Sequence, residues 1–131
     1  MKIPYGELFW DRKGDLIDIT QWGSLRHGKD GLAYVRIGRE TVNFLGDDID
    51  VSTVWIGINH GWNPDRPPLI FETMCFGGPF DGECARYSTE EEAEAGHRQT
   101  VENLRRGEPP WFIDDGAFPS REANVNVEGD S

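Results

Sequence analysis

The alternation of hydrophobic and polar positions is strongest between residues 51 and 97. Residues 51–58 (VSTVWIGI) and 69–76 (LIFETMCF) are rich in β-branched and aromatic side chains. Such side chains fit a pleated, half-buried surface, so both runs are predicted strands. Alternate residues of a strand point to opposite faces. In the first strand we expect the set containing Val54, Ile56 and Ile58 to be the more deeply buried.

The connections around these strands are also indicated by local residues. Two alternating runs, 32–37 and 40–45, flank Gly38-Arg39, which predicts a hairpin with its turn at that dipeptide. The glycine- and proline-rich segment 59–68 predicts a loop, because proline is excluded from helix interiors and central strands. A further loop at 77–83 leads into residues 84–87.

One helix is predicted from about residue 90 to about residue 106. The sequence Ser88-Thr89-Glu90-Glu91-Glu92 fits a capping box, and the three glutamates suit the positive end of a helix dipole. Arg105-Arg106-Gly107, followed by two prolines, is typical of a helix end. Semi-apolar residues recur at helical spacing on one face: Ala93, His97, Thr100, Val101 and Leu104.

These elements together predict an α+β fold. We expect an antiparallel sheet of about four to five strands with one main C-terminal helix packed on one face. A chain of 131 residues has the size of one domain and can bury a hydrophobic core without a disulfide or a structural metal ion. We assign residues 1–118 to that single domain and predict that 119–131 form a flexible acidic tail.

The charge is acidic and unevenly distributed. The net charge is −11, and residues 51–131 carry fifteen acidic against six basic side chains. An acidic protein repels phosphate backbones, so direct nucleic-acid binding is disfavoured. The acidity serves solubility or faces a basic protein partner. No apolar run approaches the roughly 20 residues of a membrane span, and the N-terminus lacks a signal-peptide segment, so we expect a cytoplasmic protein without membrane contact.

The two cysteines predict reduced structural thiols. If Phe76 pairs with Glu83, Cys75 lies opposite Cys84, a placement that also permits a disulfide. A zinc site requires more ligands at tight spacing, and the sequence has no CxxC motif. We therefore expect no metal and no cofactor.

Glu72 is the most informative candidate residue. In its predicted strand it shares a face with Ile70 and Met74, and if that face is the core its carboxylate must be paired or protonated. Arg86 and His97 are the candidate partners. A structural ion pair is one interpretation, and a perturbed acid lining a pocket is the other.

A histidine in the 59–68 loop offers a second candidate feature, because loops on a rigid scaffold often carry function. A histidine on a semi-apolar helix face is more often a hydrogen-bonded core residue than a ligand. The sequence has no nucleophile elbow, P-loop or HExxH motif. If the loop, the second strand and the helix converge, they form a ligand-binding pocket, with these lining residues: Asn59, His60, Trp62, Glu72, Arg86 and His97.

Two long motifs carry a resemblance. The stretches VSTVWIGINHGW and PPLIFETMCFGGPFDGECARYSTEEEAEAGH resemble a signature of small proteins encoded by tailed bacteriophages, particularly those of actinobacteria. The resemblance covers residues 51–106. The chain departs from the pattern at Asn59, where the family usually has Asp, and at Cys75, where it usually has an aliphatic residue. The resemblance implies a phage accessory protein made in the infected cell and implies no particular activity.

Three hypotheses of function follow. The first is a non-enzymatic protein that binds a host or phage protein, for example in counter-defence or host takeover. The second is a small-molecule or nucleotide binder, or a weak enzyme, with a pocket near His60, Glu72 and His97. The third is a virion assembly component. The sequence leaves the oligomeric state open.

Overall fold

The computed structural model describes residues 8–59, 65–113 and 120–122, the last three through their backbone alone. Two short strands and two helices come first, followed by the main sheet and the long helix. In chain order the elements are β1 (Phe9–Trp10), β2 (Leu16–Ile17), α1 (Ile19–His27), α2 (Gly31–Val35), β3 (Arg36–Phe44), β4 (Asp47–Trp55), β5 (Phe71–Phe76), β6 (Cys84–Tyr87), α3 (Glu90–Arg105) and β7 (Ser120–Glu122).

The main sheet has the strand order β3-β4-β5-β6-β7. The first four strands are antiparallel neighbours, and α3 packs on one face of them. This arrangement confirms the predicted α+β class and the main helix. β7 runs parallel to β6 and lies within the segment predicted as a tail. We call the face of the sheet under α3 the inner face and the opposite face the outer face.

The predicted hairpin at Gly38-Arg39 is wrong. Residues 31–35 form α2, and β3 continues through Gly38 at a bulge. The turn falls instead at Leu45-Gly46, between the paired residues Phe44 and Asp47. Both turn residues have positive φ, 51° for Leu45 and 100° for Gly46. Two consecutive residues of positive φ suit a two-residue hairpin turn, because their twist matches that of the flanking strands.

The prediction of the buried face of the first strong strand is also wrong. Val51, Thr53 and Trp55 are fully buried on the inner face of β4, whereas Val54 and Ile56 are only half-buried. Both alternating sets contain apolar residues, so the pattern alone did not separate them. A tryptophan is the largest apolar side chain in either set, and its burial removes the most surface from water.

The predicted helix is confirmed. α3 spans Glu90–Arg105, and Thr89 with Glu92 completes the capping box, in which Glu92 N–H donates to Thr89 Oγ1 at 3.1 Å. The residues of its buried face include five that the spacing predicted: Ala93, His97, Thr100, Val101 and Leu104.

The two cysteines form no disulfide with each other, are buried, and lie one position out of the predicted register. Cys84 pairs with Met74, and the amide of Cys75 donates to the carbonyl of Glu83 at 3.0 Å. Cys75 and Cys84 therefore point to opposite faces of the sheet, a geometry that does not favour a disulfide.

The N-terminal elements pack at one end of the sheet. Asp18 caps α1 by accepting from the amide of Gln21 at 2.8 Å. The indole of Trp22 donates to the carbonyl of Ile56 at 3.0 Å, and that of Trp55 donates to the carbonyl of Trp10 at 3.0 Å. These bonds hold α1 and β1 against the end of β4.

Candidate functional site

Five polar side chains form a continuous set of hydrogen bonds between α3 and the inner face. His97 Nδ1 lies 2.7 Å from Thr53 Oγ1, and His97 Nε2 lies 2.5 Å from Glu40 Oε1. Thr53 Oγ1 lies 2.5 Å from Thr73 Oγ1, to which the Tyr87 hydroxyl donates at 2.9 Å. These residues, named here the polar network, connect α3 with all four antiparallel strands.

One direction of the hydrogen bonds gives every donor of the polar network an acceptor. Tyr87 donates to Thr73, Thr73 to Thr53, and Thr53 to Nδ1 of His97. The proton of the imidazole then lies on Nε2 and is donated to Glu40. In this arrangement each of the three hydroxyls donates one hydrogen bond, and Nδ1 accepts the bond from Thr53.

Burial closes this network to a substrate. Thr53 and Thr73 are fully buried, and Glu40 is the member that reaches solvent. Burial also raises the pKa of the Tyr87 phenol, although its hydrogen bond to Thr73 acts in the opposite direction. The hydroxyls are therefore structural groups that satisfy one another inside the core.

Two glycines allow α3 to approach the sheet closely enough for these bonds. A Cβ at Gly38 would lie 2.8 Å from His97 Nε2, and a Cβ at Gly96 would lie 2.3 Å from the Tyr87 hydroxyl oxygen. No real Cβ atom makes such contacts. The sequence placed Gly38 in a predicted turn, and a glycine in mid-helix such as Gly96 does not identify its partner across the interface.

Glu72 and Arg86 form the ion pair that the sequence suggested. Arg86 Nε donates to Glu72 Oε2 at 3.2 Å, and the two residues are direct neighbours on β6 and β5. They lie on the outer face, whereas His97 lies on the inner face. The structure thus brings Glu72 and Arg86 together and separates both from His97.

The loop residues of the predicted pocket are only partly described. Asn59 Oδ1 accepts a hydrogen bond from the amide of Leu69 at 2.8 Å and so closes the base of the loop. An aspartate, which the resembled pattern usually has at this position, would offer the same acceptor. A structural role at the base of the loop therefore explains either residue without invoking catalysis. His60 and Trp62 lie outside the described residues.

A cleft of about 910 Å³ opens at the N-terminus of α3. It is lined by residues 67–70 and by three basic side chains, Arg12, Lys13 and Arg66. Arg12 Nε donates to Glu90 Oε1 at 2.9 Å, and its Nη2 contacts the other carboxylate oxygen. Four glutamates also line the cleft and are named here the acidic wall: Glu90, Glu91, Glu92 and Glu94. The helix cap was predicted from the sequence, but the position of residues 12–14 in the same cleft was not.

Among residues 8–59 and 65–113, no group of three or more His, Cys, Asp or Glu side chains has a metal-binding arrangement. The helices in the described part of the chain are too short or too polar to cross a bilayer.

The fold and these contacts define a class of protein. It is an α+β domain whose antiparallel sheet is covered on one face by a capped helix and fastened to it by a buried polar network. Comparison of the chain with protein-family models, with curated proteins and with solved structures found no match.

Proposed function

We propose that this protein is a phage-encoded, non-enzymatic accessory protein that acts in the host cytoplasm by binding a host or phage protein with a basic surface. The observation that carries the proposal is the acidic wall of the cleft. Glu90 is bound to Arg12 and Glu92 belongs to the capping box, but Glu91 and Glu94 make no salt bridge within the described residues. Their charges are available to a partner.

The distribution of polar groups also supports a binding role. The histidine, threonine and tyrosine side chains of the polar network are occupied in holding α3 on the sheet. Glu72 is paired with Arg86. A net charge of −11 attracts a basic partner over distance and raises the rate of association at low salt. The phage origin rests on the resemblance of residues 51–106.

A capture experiment with matched variants tests the proposal. Tagged protein is incubated with lysate of a candidate host bacterium, and retained proteins are identified by mass spectrometry at low and moderate salt. We expect a specific partner with a basic surface to be retained by wild type and lost by Glu91→Gln/Glu94→Gln. Glu102→Gln/Glu108→Gln, which removes two charges outside the cleft, is the control and should retain it. Equal retention of the partner by all three proteins would show that the acidic wall is not the binding surface.

The basic side chains that line the same cleft favour a second candidate, a nucleotide-binding protein. Lys13 and Arg66 are among the lining residues and suit a phosphate group. A ligand that binds the folded state raises the melting temperature, so a thermal-shift panel of nucleotides tests this candidate. A shift that disappears in Lys13→Ala and Arg66→Ala would favour it over protein binding. Mass spectrometry of purified particles tests the remaining hypothesis, a virion component.

A further inference from the structure

In the part of the chain that the structure describes, no strand pairs with the edge of β3 that faces away from β4. β3 is nine residues long and stands first in the strand order, with β4 as its partner. An edge strand presents unpaired N–H and C=O groups, and it pairs with another strand unless charges, proline or a bulge prevent it. A bulge disturbs the end between Arg36 and Gly38, but residues 40–44 (ETVNF) contain neither proline nor lysine.

The charged residues in the middle of β3 are held away from this edge. Arg39 Nη2 is bound to Asp50 on β4 at 2.7 Å, and Glu40 is bound to His97 on α3 at 2.5 Å. Asp50 and His97 both belong to the same chain as β3. The charged side chains of Arg39 and Glu40, which would otherwise disfavour pairing at the edge, are therefore bound within their own chain.

Leu45, directly after β3, is in a conformation and an environment that disfavour leucine. Within the described residues it is the non-glycine residue with positive φ, and it is 79% exposed. Asparagine or glycine suits such a turn position better. The choice of leucine is explained if another molecule covers the side chain.

We propose that two copies of this chain associate by antiparallel pairing of their β3 strands about a two-fold axis at Thr41, which joins the two sheets into one. Residues opposite each other in an antiparallel pair share a face, so the axis passes through a residue. This register sets Arg39 opposite Asn43 of the second copy and places the turn at Leu45 near the bulge between Arg36 and Gly38 of the second copy. Each contact occurs twice.

Two neighbouring registers are less favourable. An axis at Arg39 or at Glu40 would set like charges opposite each other, which destabilises a strand pair. Thr41 is exposed and uncharged and meets its own copy without repulsion.

A charge-exchange experiment at Thr41 tests both the dimer and its register. Sedimentation equilibrium should show a concentration-dependent dimer for wild type, weakened about tenfold in Thr41→Lys and in Thr41→Glu, where like charges meet at the axis. An equimolar mixture of the two variants should restore the dimer as a heterodimer. Thr20→Lys, which adds the same charge on α1, should dimerise as wild type does.

Leu45→Asn separates association from folding. Asparagine tolerates positive φ, so this variant should unfold at the same or a higher temperature as a monomer while its dimer weakens. A wild-type protein that remains monomeric at millimolar concentration would overturn the proposal. A dimer that is unchanged in Thr41→Lys and in Leu45→Asn would also overturn it, and pairing of β3 with a strand of another protein would then be the alternative.

Discussion

The close packing of α3 on the sheet makes a prediction about Gly96 whose sign is set by two opposing effects. Alanine favours a helix interior over glycine by up to about 1 kcal/mol, so Gly96→Ala gains that much from the backbone. Its Cβ would, however, lie 2.3 Å from the hydroxyl oxygen and 2.4 Å and 2.5 Å from two ring carbons of Tyr87. Tyr87 is fully buried and bonded to Thr73, so it has no free space to enter.

The steric effect is the larger of the two. Inserting a methyl group into a closely packed core costs about 1–3 kcal/mol, and contacts this short place Gly96→Ala at the upper end. We expect a net loss of about 2 kcal/mol, which corresponds to roughly 8 °C in melting temperature for a domain of this size. Urea unfolding and thermal unfolding both measure it.

A second glycine in a helix supplies the matched control. Gly23 in α1 has no atom within 4 Å of an added Cβ, so Gly23→Ala should stabilise the protein by up to about 1 kcal/mol. Tyr87→Phe should cost less in the Gly96→Ala background than in wild type, because removing the hydroxyl relieves the shortest contact. A Gly96→Ala protein as stable as wild type would refute the reasoning, since it would mean that α3 does not lie this close to Tyr87.

Three further predictions follow from other contacts. Burial raises the pKa of the Cys75 thiol to about 12, above its usual value of 9.0. The free energy of unfolding should therefore keep its full contribution from this thiol below pH 9 and lose it as the pH rises towards 12. The loss over this range should be smaller in Cys75→Ala. Site-resolved alkylation at pH 8 should modify Cys75 in urea but not in the folded protein, and equal rates would contradict its burial. Asn59→Asp should keep the amide proton of Leu69 protected from exchange, whereas Asn59→Ala should expose it and cost about 1 kcal/mol. Arg12→Ala should cost about 1 kcal/mol and raise the proteolytic susceptibility of 8–18, because it releases the bond to α3; unchanged proteolysis would mean that the bond does not hold this segment.

Local signals predicted the helix and the strand-rich centre of the chain. The capping box at Thr89 and the glycine after Arg106 depend only on residues a few positions away, so they can be predicted from the sequence. The hairpin was misplaced because Gly38-Arg39 has the composition of a turn, whereas the real turn begins with a leucine at positive φ. No propensity favours leucine there.

The inner face could not be chosen from alternation because its polar members are satisfied by distant residues. Thr53 is a core residue only because His97, 44 positions away, and Thr73 bond to it. The ion pair of Glu72 with Arg86 could be predicted from the sequence, because a short loop joins the two strands. The cleft was not, because it depends on how residues 12–14 meet α3.

The polar network also has a kinetic meaning. Its bonds join residues separated by 57, 44, 20 and 14 positions, and it is complete only when four strands and α3 are in place. Closing the loops between such distant residues is costly, so we expect these contacts to form late in folding. Conservative substitutions within the network should then act mainly on the rate of unfolding and leave the rate of folding nearly unchanged, which stopped-flow kinetics would measure. On this expectation the network governs how long the folded state lasts once it has formed.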